Sequence, residues 1–572
     1  MFISVLSLLI GVVGPIVLVV WAVRRAGDRS RGTDGRSVRR FFQYVLLYGL
    51  MIVAATGLID LAGVVFAPPL LAGDERDVLA RALTFTVLGL PMFVLTALWT
   101  RRHLRGDADE AESFGWAAYL TVASLTALGG AMGALHGVVS SALSGDGLDG
   151  TGLAGFVVWA ALWWAHRVVT ERLLAPQRRQ ALLLLGSLVG LVTSVTGLVM
   201  LLGASVSTLV LDTSGVLATS GDRALAEAAA TVVVGAPVWF VYWLRGLARG
   251  GRTPLWLAYV LPVGVGGSLV LAVVGLSVTL YQVLVWLVGE PAWSSAADHF
   301  RGTPVAGACV VVGAVSWWYH RRVLAHATAG RSEVTRVYEY LMAGVALVAA
   351  AAGVSLVLIA VVEAAVPPAA VERGTSVVNA VLAAVTLLVV GGPLWWLFWS
   401  RIGRVTRAEG GAAELASPTR RIYLFVLFGL GGVVAVVAVL VAAFLGIQGV
   451  LRDGFVPEVL RAVRVPVAIL LATGATAGYH WVVYRHDRQV LPAAPPRPAA
   501  RYVLLIGALD PAVRQEVAHR TGARVDLWER ADGLAQPWSV EDVVAAVNAE
   551  AGHALTIVAG PAGLETITLG QR

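Results

Sequence analysis

Residues 391–402 read GGPLWWLFWSRI, and the interpretation of the whole chain starts from this stretch. A proline stands inside an apolar run, with a glycine two residues before it and tryptophans two and six residues after it. The stretches GAPVWFVYWLRG (235–246) and GLPMFVLTALWT (89–100) repeat the pattern. The recurrence indicates either a functional site or a repeated building unit.

The composition places most of the chain in a lipid bilayer. Of the 572 residues, 58% are hydrophobic and only 14% are charged, which no soluble globular protein of this length shows. The basic residues are all arginine, as expected from a high-GC genome, although an arginine-rich binding patch is the alternative. The one cysteine, Cys309, excludes a disulfide or a thiolate metal site within a single chain.

Thirteen apolar stretches are candidates to cross a hydrocarbon core, for which about 20 residues are needed. The first lacks a basic start and a cleavage site, so we interpret it as a retained anchor. The stretches are 2–23, 41–66, 82–100, 114–143, 153–165, 181–203, 228–244, 255–288, 304–319, 337–362, 376–399, 422–446 and 464–484.

Arginines in the connecting segments predict the orientation. Successive connecting segments lie on alternate sides of the membrane. The segments on the same side as the one after the first stretch carry 29 arginines, and the segments on the other side carry eight. Acidic residues divide almost evenly. Because positive charge is retained on the cytoplasmic side, we expect an external N-terminus and a cytoplasmic C-terminal tail, in the plasma membrane of a bacterium.

The remaining twelve stretches group into six hairpins that enter from and return to the cytoplasm. Their constant orientation predicts parallel repeats about an axis near the membrane normal. We therefore expect an all-α polytopic membrane protein with a small C-terminal α/β domain. Its expected parts are an anchor with a basic loop (1–35), hairpins 1 to 6 (36–110, 111–177, 178–252, 253–332, 333–416 and 417–490), a Pro/Ala linker (491–500) and a cytoplasmic domain (501–572).

The returning helices can be aligned on Pro91, Pro237 and Pro393 in the odd hairpins and on Val157, Val311 and Ala475 in the even ones. Proline occurs only in the odd set, and histidine occurs near the inner end of the even set, which suggests that the duplicated unit is a pair of hairpins. Six residues after the aligned residue, the six hairpins have Ala97, Trp163, Trp243, Trp317, Trp399 and Trp481. The histidines of the even hairpins are His166, His320 and His480.

These features resemble a known family. The segment RRFFQYVLLYGLMIVAATGLIDL (39–61) and the Gly-x-Pro-x-Trp…Trp helix look like the bacterial membrane proteins grouped as domain of unknown function 5671. The resemblance extends over about 36–488, although hairpins 4 and 6 lack the proline. It implies an assembly of helical hairpins and no assigned activity.

Two interpretations remain open for the repeated residues. The tryptophans are either interfacial anchors beside snorkelling arginines or an aromatic cage for a ligand, and we favour the first. The prolines either shape packing, with Gly89, Gly235 and Gly391 allowing close helix approach, or act as hinges. As hinges, the prolines would leave the backbone carbonyls four residues before them without a hydrogen-bond donor, and these carbonyls would line the repeat axis. We favour the packing interpretation. Those carbonyls belong to Val87, Val233 and Val389.

Residues that could carry chemistry are scarce. Asp60 is an acid within a stretch, and it lies at the expected outer edge, so we expect no titratable path across the membrane. Zinc-protease, serine-hydrolase and phosphate-loop motifs are absent from the sequence. We therefore expect no catalytic residue, metal or cofactor, no nucleic-acid partner, and an enzyme only as a minor alternative.

The tail after the Pro/Ala linker has a different pattern. It predicts strands at 502–507, 523–530, 554–560 and 564–570, and helices at 511–522 and from Ser539 to about Ala551, where Ser539 and Asp542 form a capping box. Its loops hold Asp510, Asp532 and Gly560–Gly563. We expect a membrane scaffold or sensor whose tail (501–572) binds a cytoplasmic protein. The alternative is a passive or lipid-like-substrate transporter with a path at the repeat axis.

Overall fold

The computed structural model describes residues 35–66, 75–210, 218–248, 253–325, 333–366, 376–408, 411–452, 456–490, 500, 502–549, 554–561 and 563–569. The chain divides into two compact units, which we call the membrane unit (Met1–Glu409 with Ser417–Tyr479) and the C-terminal unit (Gly410–Ala416 with His480–Arg572). The expected first span, 2–23, lies outside the described residues, so the total of thirteen spans stays a prediction.

Long helices adjacent in sequence pair into hairpins, each with an outgoing and a returning helix. Hairpin 1 holds α1 (Gly35–Phe66), α2 (Glu75–Thr84) and α3 (Leu90–Gly106), and the short α4 (Ala108–Ala111) leads into hairpin 2, formed by α5 (Phe114–Leu143) and α6 (Gly150–Leu173). Hairpin 3 holds α7 (Pro176–Val210) and α8 (Ala218–Trp239), and hairpin 4 holds α9 (Pro254–Tyr259), α10 (Ser268–Val288), α11 (Ala296–His299) and α12 (Thr303–Ala325). Hairpin 5 holds α13 (Glu333–Ala365) and α14 (Val377–Arg407), and α15 (Gly411–Leu415) leads into hairpin 6, formed by α16 (Pro418–Arg452) and α17 (Val456–Val490).

Among the described residues, eleven helices are long and apolar enough to cross a membrane. The expected span at 304–319 forms helix α12 but is not among the eleven. The segment SWWYHRR (316–322) lies near the end of this helix, so its apolar part is short.

Polar caps explain where several outgoing and returning helices begin. The Ser113 hydroxyl accepts a hydrogen bond from the Trp116 backbone N–H at 3.2 Å, and Thr253 does the same for Trp256 at 3.2 Å. Ser376 caps α14 through the N–H of Asn379 at 3.3 Å. Each cap satisfies one of the backbone donors that a helix start leaves without an intrahelical partner.

Three wide, π-helical turns interrupt the helices of hairpins 1, 3 and 4, at Phe85–Gly89, Phe240–Leu247 and Val260–Gly267. The first two lie beside Pro91 and Pro237, and the third contains Pro262. Proline removes a backbone donor, and a local change of helical pitch is one way to satisfy the freed carbonyls inside a membrane. Pro393 differs, because α14 continues past it as an α-helix.

Tight helix packing follows the order of the hairpins. We call the contact between two successive hairpins a seam and name it by their numbers. In seams 1–2, 2–3, 3–4 and 4–5, the outgoing helix of one hairpin packs against the returning helix of the next. In seam 5–6, Arg464 Nε donates to Glu363 Oε1 at 3.0 Å, and Arg461 donates to the Val366 carbonyl at 2.6 Å. The strongest contacts of the described helices all lie within one hairpin or between neighbours.

The C-terminal unit contains the α/β fold expected from the tail. Its sheet has the order β2-β1-β3-β4, with β1 parallel to β2 and β3, and β4 antiparallel to β3. Ser539 caps its second helix through the Asp542 N–H, as the sequence predicts, and Gly522 ends the first helix with φ +68°. The elements are β1 (Tyr502–Gly507), α18 (Pro511–Thr521), β2 (Arg524–Glu529), α19 (Val540–Ala549), β3 (Ala554–Gly560) and β4 (Gly563–Leu569).

One face of this sheet forms the core of the C-terminal unit. Val503 and Leu505 of β1 are fully buried, together with Val517 of α18 and Val543 of α19. Both helices therefore pack on the same face. Side chains alternate along a strand, so the opposite face of the sheet carries Leu504 and Ile506 of β1. It also carries Trp528 of β2, which is the cross-strand neighbour of Ile506. Trp528 is 62% exposed there.

Candidate functional site: the aromatic seams

The glycines of the three Gly-x-Pro stretches touch the outgoing helix of their own hairpin. A Cβ built on Gly235 would lie 2.6 Å from the Ser194 nitrogen, and one on Gly391 would lie 2.7 Å from the Ala350 nitrogen. At Gly89 the nearest atom is a side-chain methyl group of Val53, also at 2.7 Å. Real Cβ atoms do not approach neighbours so closely. A side chain at Gly235 or Gly391 would therefore push two helix backbones apart, whereas at Gly89 the Val53 side chain would have to shift.

The prolines lie on the other side of the same helices. Pro91, Pro237 and Pro393 are all exposed on the surface of the membrane unit. The residues four positions before the prolines, whose carbonyls lose a hydrogen-bond donor, are exposed as well. The exposed fractions of Val87, Val233 and Val389 lie between 48% and 62%. Glycine and proline in each stretch therefore face opposite ways, with the glycine against a neighbouring helix and the proline outward.

Indole groups of the aligned tryptophans donate hydrogen bonds across three seams. Trp163 donates to the Tyr242 hydroxyl at 2.7 Å in seam 2–3, and Trp243 donates to Tyr319 at 2.8 Å in seam 3–4. In seam 5–6, Trp399 donates to Tyr479 at 2.6 Å. Each bond joins the returning helices of two successive hairpins. Tyr242 and Trp243 are completely buried.

The other two seams lack this bond for reasons visible in the sequence. In seam 1–2 the donor position holds Ala97 instead of tryptophan. The acceptor position, directly before the histidine of the even hairpin, holds Ala165 where hairpin 4 has Tyr319. In seam 4–5 the donor Trp317 is present, but the residue that corresponds to Tyr242 is Phe398, which has no hydroxyl. Within the described residues, the Trp317 indole N–H has no partner at hydrogen-bond geometry. Seam 4–5 thus has a donor without its acceptor.

The even-hairpin histidines are all buried, and two of them have resolved local bonds. His166 accepts or donates through Nε2 at 3.0 Å from the Tyr119 hydroxyl, and its Nδ1 lies 2.8 Å from the Leu162 carbonyl. His320 makes the equivalent Nδ1 contact with the Ser316 carbonyl at 2.8 Å. His480 is buried as well, whereas its neighbour Trp481 is about half exposed.

The hydrogen bonds shift the alignment of hairpin 6 by about one helical turn. Tyr319 and Tyr479 are both acceptors for a tryptophan of the preceding hairpin, and each directly precedes a histidine. The matching pairs are therefore Tyr319–His320 and Tyr479–His480. An alignment on Ala475 matches Trp481 with Trp317 and leaves the two Tyr-His pairs four residues out of register.

Asp60 forms an ion pair with a residue of its own hairpin. Its carboxylate accepts a hydrogen bond from Arg81 Nε at 2.8 Å, near the end of α1 and within α2. Both side chains are partly exposed. The pair joins α1 and α2 near the end of α1 that lies opposite to Arg39 and Arg40.

Two polar clusters join hairpins at their starts, and the first is centred on a buried carboxylate. Glu110 is 1% exposed and accepts hydrogen bonds from Arg39 and Arg40, both at 2.9 Å, and from the Tyr44 hydroxyl at 3.3 Å. It joins the start of hairpin 1 to the start of hairpin 2. The signal available in the sequence was DADEAE (107–112), an acidic run on the side where arginine predominates.

The second polar cluster joins hairpins 5 and 6 at the equivalent place. Glu333 accepts hydrogen bonds from the Ser417 hydroxyl at 2.7 Å and the Thr419 hydroxyl at 2.9 Å. Arg420 donates to the Tyr340 hydroxyl at 3.1 Å. An odd and an even hairpin are thus held together at their starts in both the first and the third pair.

Loop residues of the C-terminal unit make local contacts. Asp510 caps α18 through the Ala512 N–H at 2.9 Å. Asp532 binds the Leu534 N–H at 3.1 Å and Arg530 at 2.8 and 2.9 Å, and these two donors lower the pKa of its carboxyl group. Within the described part of the chain, no three histidine, cysteine or acidic residues come together as a metal site.

Comparison with known proteins supports the paired-hairpin organisation. The sequence model described as "Domain of unknown function (DUF5671)" matches residues 40–165, 180–315 and 336–475, well over half of the chain. Each matched segment extends over two hairpins. No curated protein and no solved structure shows significant similarity to the chain. The protein is therefore a member of the DUF5671 family and carries three tandem copies of its domain.

Proposed function

We propose that the protein is a non-enzymatic membrane scaffold or sensor whose C-terminal unit binds a cytosolic protein. In this proposal the chain crosses the plasma membrane of a bacterium thirteen times, with the N-terminus outside and the C-terminal unit in the cytoplasm. The arginine distribution supports that orientation, since 29 arginines lie on one side of the spans and eight on the other.

The aromatic seams are the observation that carries the scaffold proposal. Neighbouring hairpins are joined by Trp–Tyr hydrogen bonds, and the two helices of a hairpin are joined by tight glycine contacts. The interior of seam 3–4 is filled by Trp243, Trp256 and Tyr259. Such packing holds hairpins in a fixed series. A buried hydrogen bond of this kind stabilises by about 1 kcal/mol, and leaving one partner unsatisfied costs about 1–3 kcal/mol.

The transporter alternative requires a route along a repeat axis. The strongest helix contacts in the described part of the membrane unit join only neighbours in the series. An arrangement of this type favours a scaffold, because each hairpin uses its faces for the hairpins before and after it.

The partner-binding part of the proposal rests on the second face of the C-terminal sheet. Leu504 and Ile506 lie beside Trp528 on this face, opposite the helices. An exposed tryptophan next to aliphatic side chains is typical of a protein interface, where aromatic residues contribute much of the binding energy. We propose that this face contacts the cytosolic partner.

Co-purification from native membranes tests the proposal. Full-length wild-type protein is compared with Trp528→Glu and with Arg514→Glu, a charge-reversing control at an exposed position of α18 on the helix side. We expect a cytosolic protein that is retained by the wild type and by Arg514→Glu but lost from Trp528→Glu. An identical set of co-purified proteins for all three, and for a chain lacking 501–572, contradicts recruitment.

A further inference from the structure

Seam 4–5 is unlike the bonded seams. It has the donor Trp317 but carries Phe398 where Tyr242 accepts the bond in seam 2–3. The Phe398 ring instead packs edge-on against Tyr338, with 6.0 Å between ring centroids. The Tyr338 hydroxyl lies beside the Trp317 indole, so two polar groups meet at the inner end of this seam.

An open groove of about 470 Å³ lies in the same seam, deeper in the membrane unit. This volume is within the range of pockets that hold small ligands. Ser277 is the one polar residue that lines it. The lining residues are Val270, Val273, Val274, Ser277, Val278, Val345, Val348, Ala349, Ala352 and Leu387, from α10, α13 and α14.

Two arginines lie at the inner end of the seam. The Arg321 guanidinium stacks over the Trp317 ring, 5.2 Å from its centroid, and Arg401 lies 6.0 Å from the centroid of Phe398. Both side chains are exposed. They place two positive charges at this end of the seam.

The inner end of the seam and the groove share a face of α13. Tyr338 and Val345 are seven residues apart on this helix, which is two helical turns. At 1.5 Å per residue the separation along the helix is about 10 Å. Leu387 and Arg401 share a face of α14 and are fourteen residues apart, which is about 21 Å along that helix.

We propose that seam 4–5 binds one anionic glycerophospholipid. Its phosphate lies between Arg321 and Arg401 beside the Tyr338 hydroxyl, and one acyl chain extends into the valine-lined groove. Charge complementarity selects the anionic headgroup. The two turns of helix between Tyr338 and Val345, at the near end of the groove, match the separation between a headgroup and its acyl chain.

Native mass spectrometry tests this site in the full-length protein. The protein is reconstituted in nanodiscs of phosphatidylglycerol and phosphatidylethanolamine in equal amounts, and the lipid that stays bound after release is identified. We expect one retained phospholipid, with phosphatidylglycerol preferred. The double variant Arg321→Gln/Arg401→Gln should lower the ratio of the two lipids roughly tenfold. Arg101→Gln/Arg102→Gln, on exposed residues of hairpin 1, should leave the ratio unchanged.

The groove is tested separately from the charges. Ala352→Phe fills it from an exposed position, so the variant should fold normally and retain less of both lipids. Val361→Phe, nine residues along on the opposite face of α13, is the matched control. Wild-type protein without a lipid preference, or equal effects of site and control variants, would overturn the proposal. Displacement of the lipid by soluble glycerol phosphate would also overturn it, because the groove would then contribute nothing.

Discussion

Substituting the glycine of the Gly-x-Pro stretch tests whether the repeated motif is a packing feature. A methyl group added at Gly391 would lie 2.7 Å from the Ala350 nitrogen and 2.9 Å from the Ala346 carbonyl oxygen. Both atoms belong to the backbone of α13, so the two helices must separate by several tenths of an ångström. Overpacking of this kind costs about 1–3 kcal/mol. The gain in helix propensity from glycine to alanine, up to about 1 kcal/mol, offsets part of that.

Gly392 is the matched control, since it is the next residue of the same helix. A methyl group there meets nothing within 4 Å, so Gly392→Ala gains the propensity without the clash. We expect Gly391→Ala to lower the free energy of unfolding by about 1–2 kcal/mol and Gly392→Ala to leave it equal or raise it. Gly235→Ala should behave like Gly391→Ala, because its neighbour is also a backbone atom.

Thermal unfolding in nanodiscs provides the measurement. Apparent Tm values are compared for the wild type, Gly391→Ala and Gly392→Ala under identical conditions. The expected order is Gly391→Ala below the wild type, with Gly392→Ala at or above it. If Gly391→Ala is as stable as Gly392→Ala, close helix approach does not explain the motif.

Two further predictions concern the seams and the orientation. Tyr242→Phe leaves the Trp163 indole without its acceptor and should cost about 1–3 kcal/mol in stability, measured by the same unfolding assay; an unchanged Tm would show that the bond contributes nothing. In a Cys309→Ala background, an impermeant thiol reagent should label Ser144→Cys in intact cells but Arg178→Cys only after permeabilisation, and the reverse pattern would refute the proposed orientation.

The sequence predicted the helices of the membrane unit and the C-terminal fold well, because both leave strong local signals. Apolar stretches of membrane length, Ser539 at a helix start and Gly522 at a helix end are each read from a few neighbouring residues. The family resemblance was confirmed by three matched segments. Each matched segment extends over two hairpins, which agrees with the alternation of returning helices that carry a proline and returning helices that carry a histidine.

Contacts between distant residues could not be read in the same way. The tyrosine partners of Trp163, Trp243 and Trp399 are 76 to 80 residues away, and no local pattern assigns them. The buried position of Glu110 depends likewise on Arg39 and Arg40, 71 and 70 residues earlier. The alignment of hairpin 6 with hairpin 4 also depends on a distant contact, because the hydrogen bond from Trp399 to Tyr479 identifies Tyr479 as the counterpart of Tyr319.

Water accessibility of the seams tests the central claim most directly. In the Cys309→Ala background, Ser124→Cys and Ser187→Cys place small thiols at fully buried positions of α5 and α7, and Ser144→Cys marks an accessible loop. A water-soluble thiol reagent is applied to both sides of native membranes. The scaffold account predicts that only Ser144→Cys reacts. Reaction at Ser124→Cys or Ser187→Cys at a rate close to that of the loop would reveal a water-filled route between the hairpins and contradict the account.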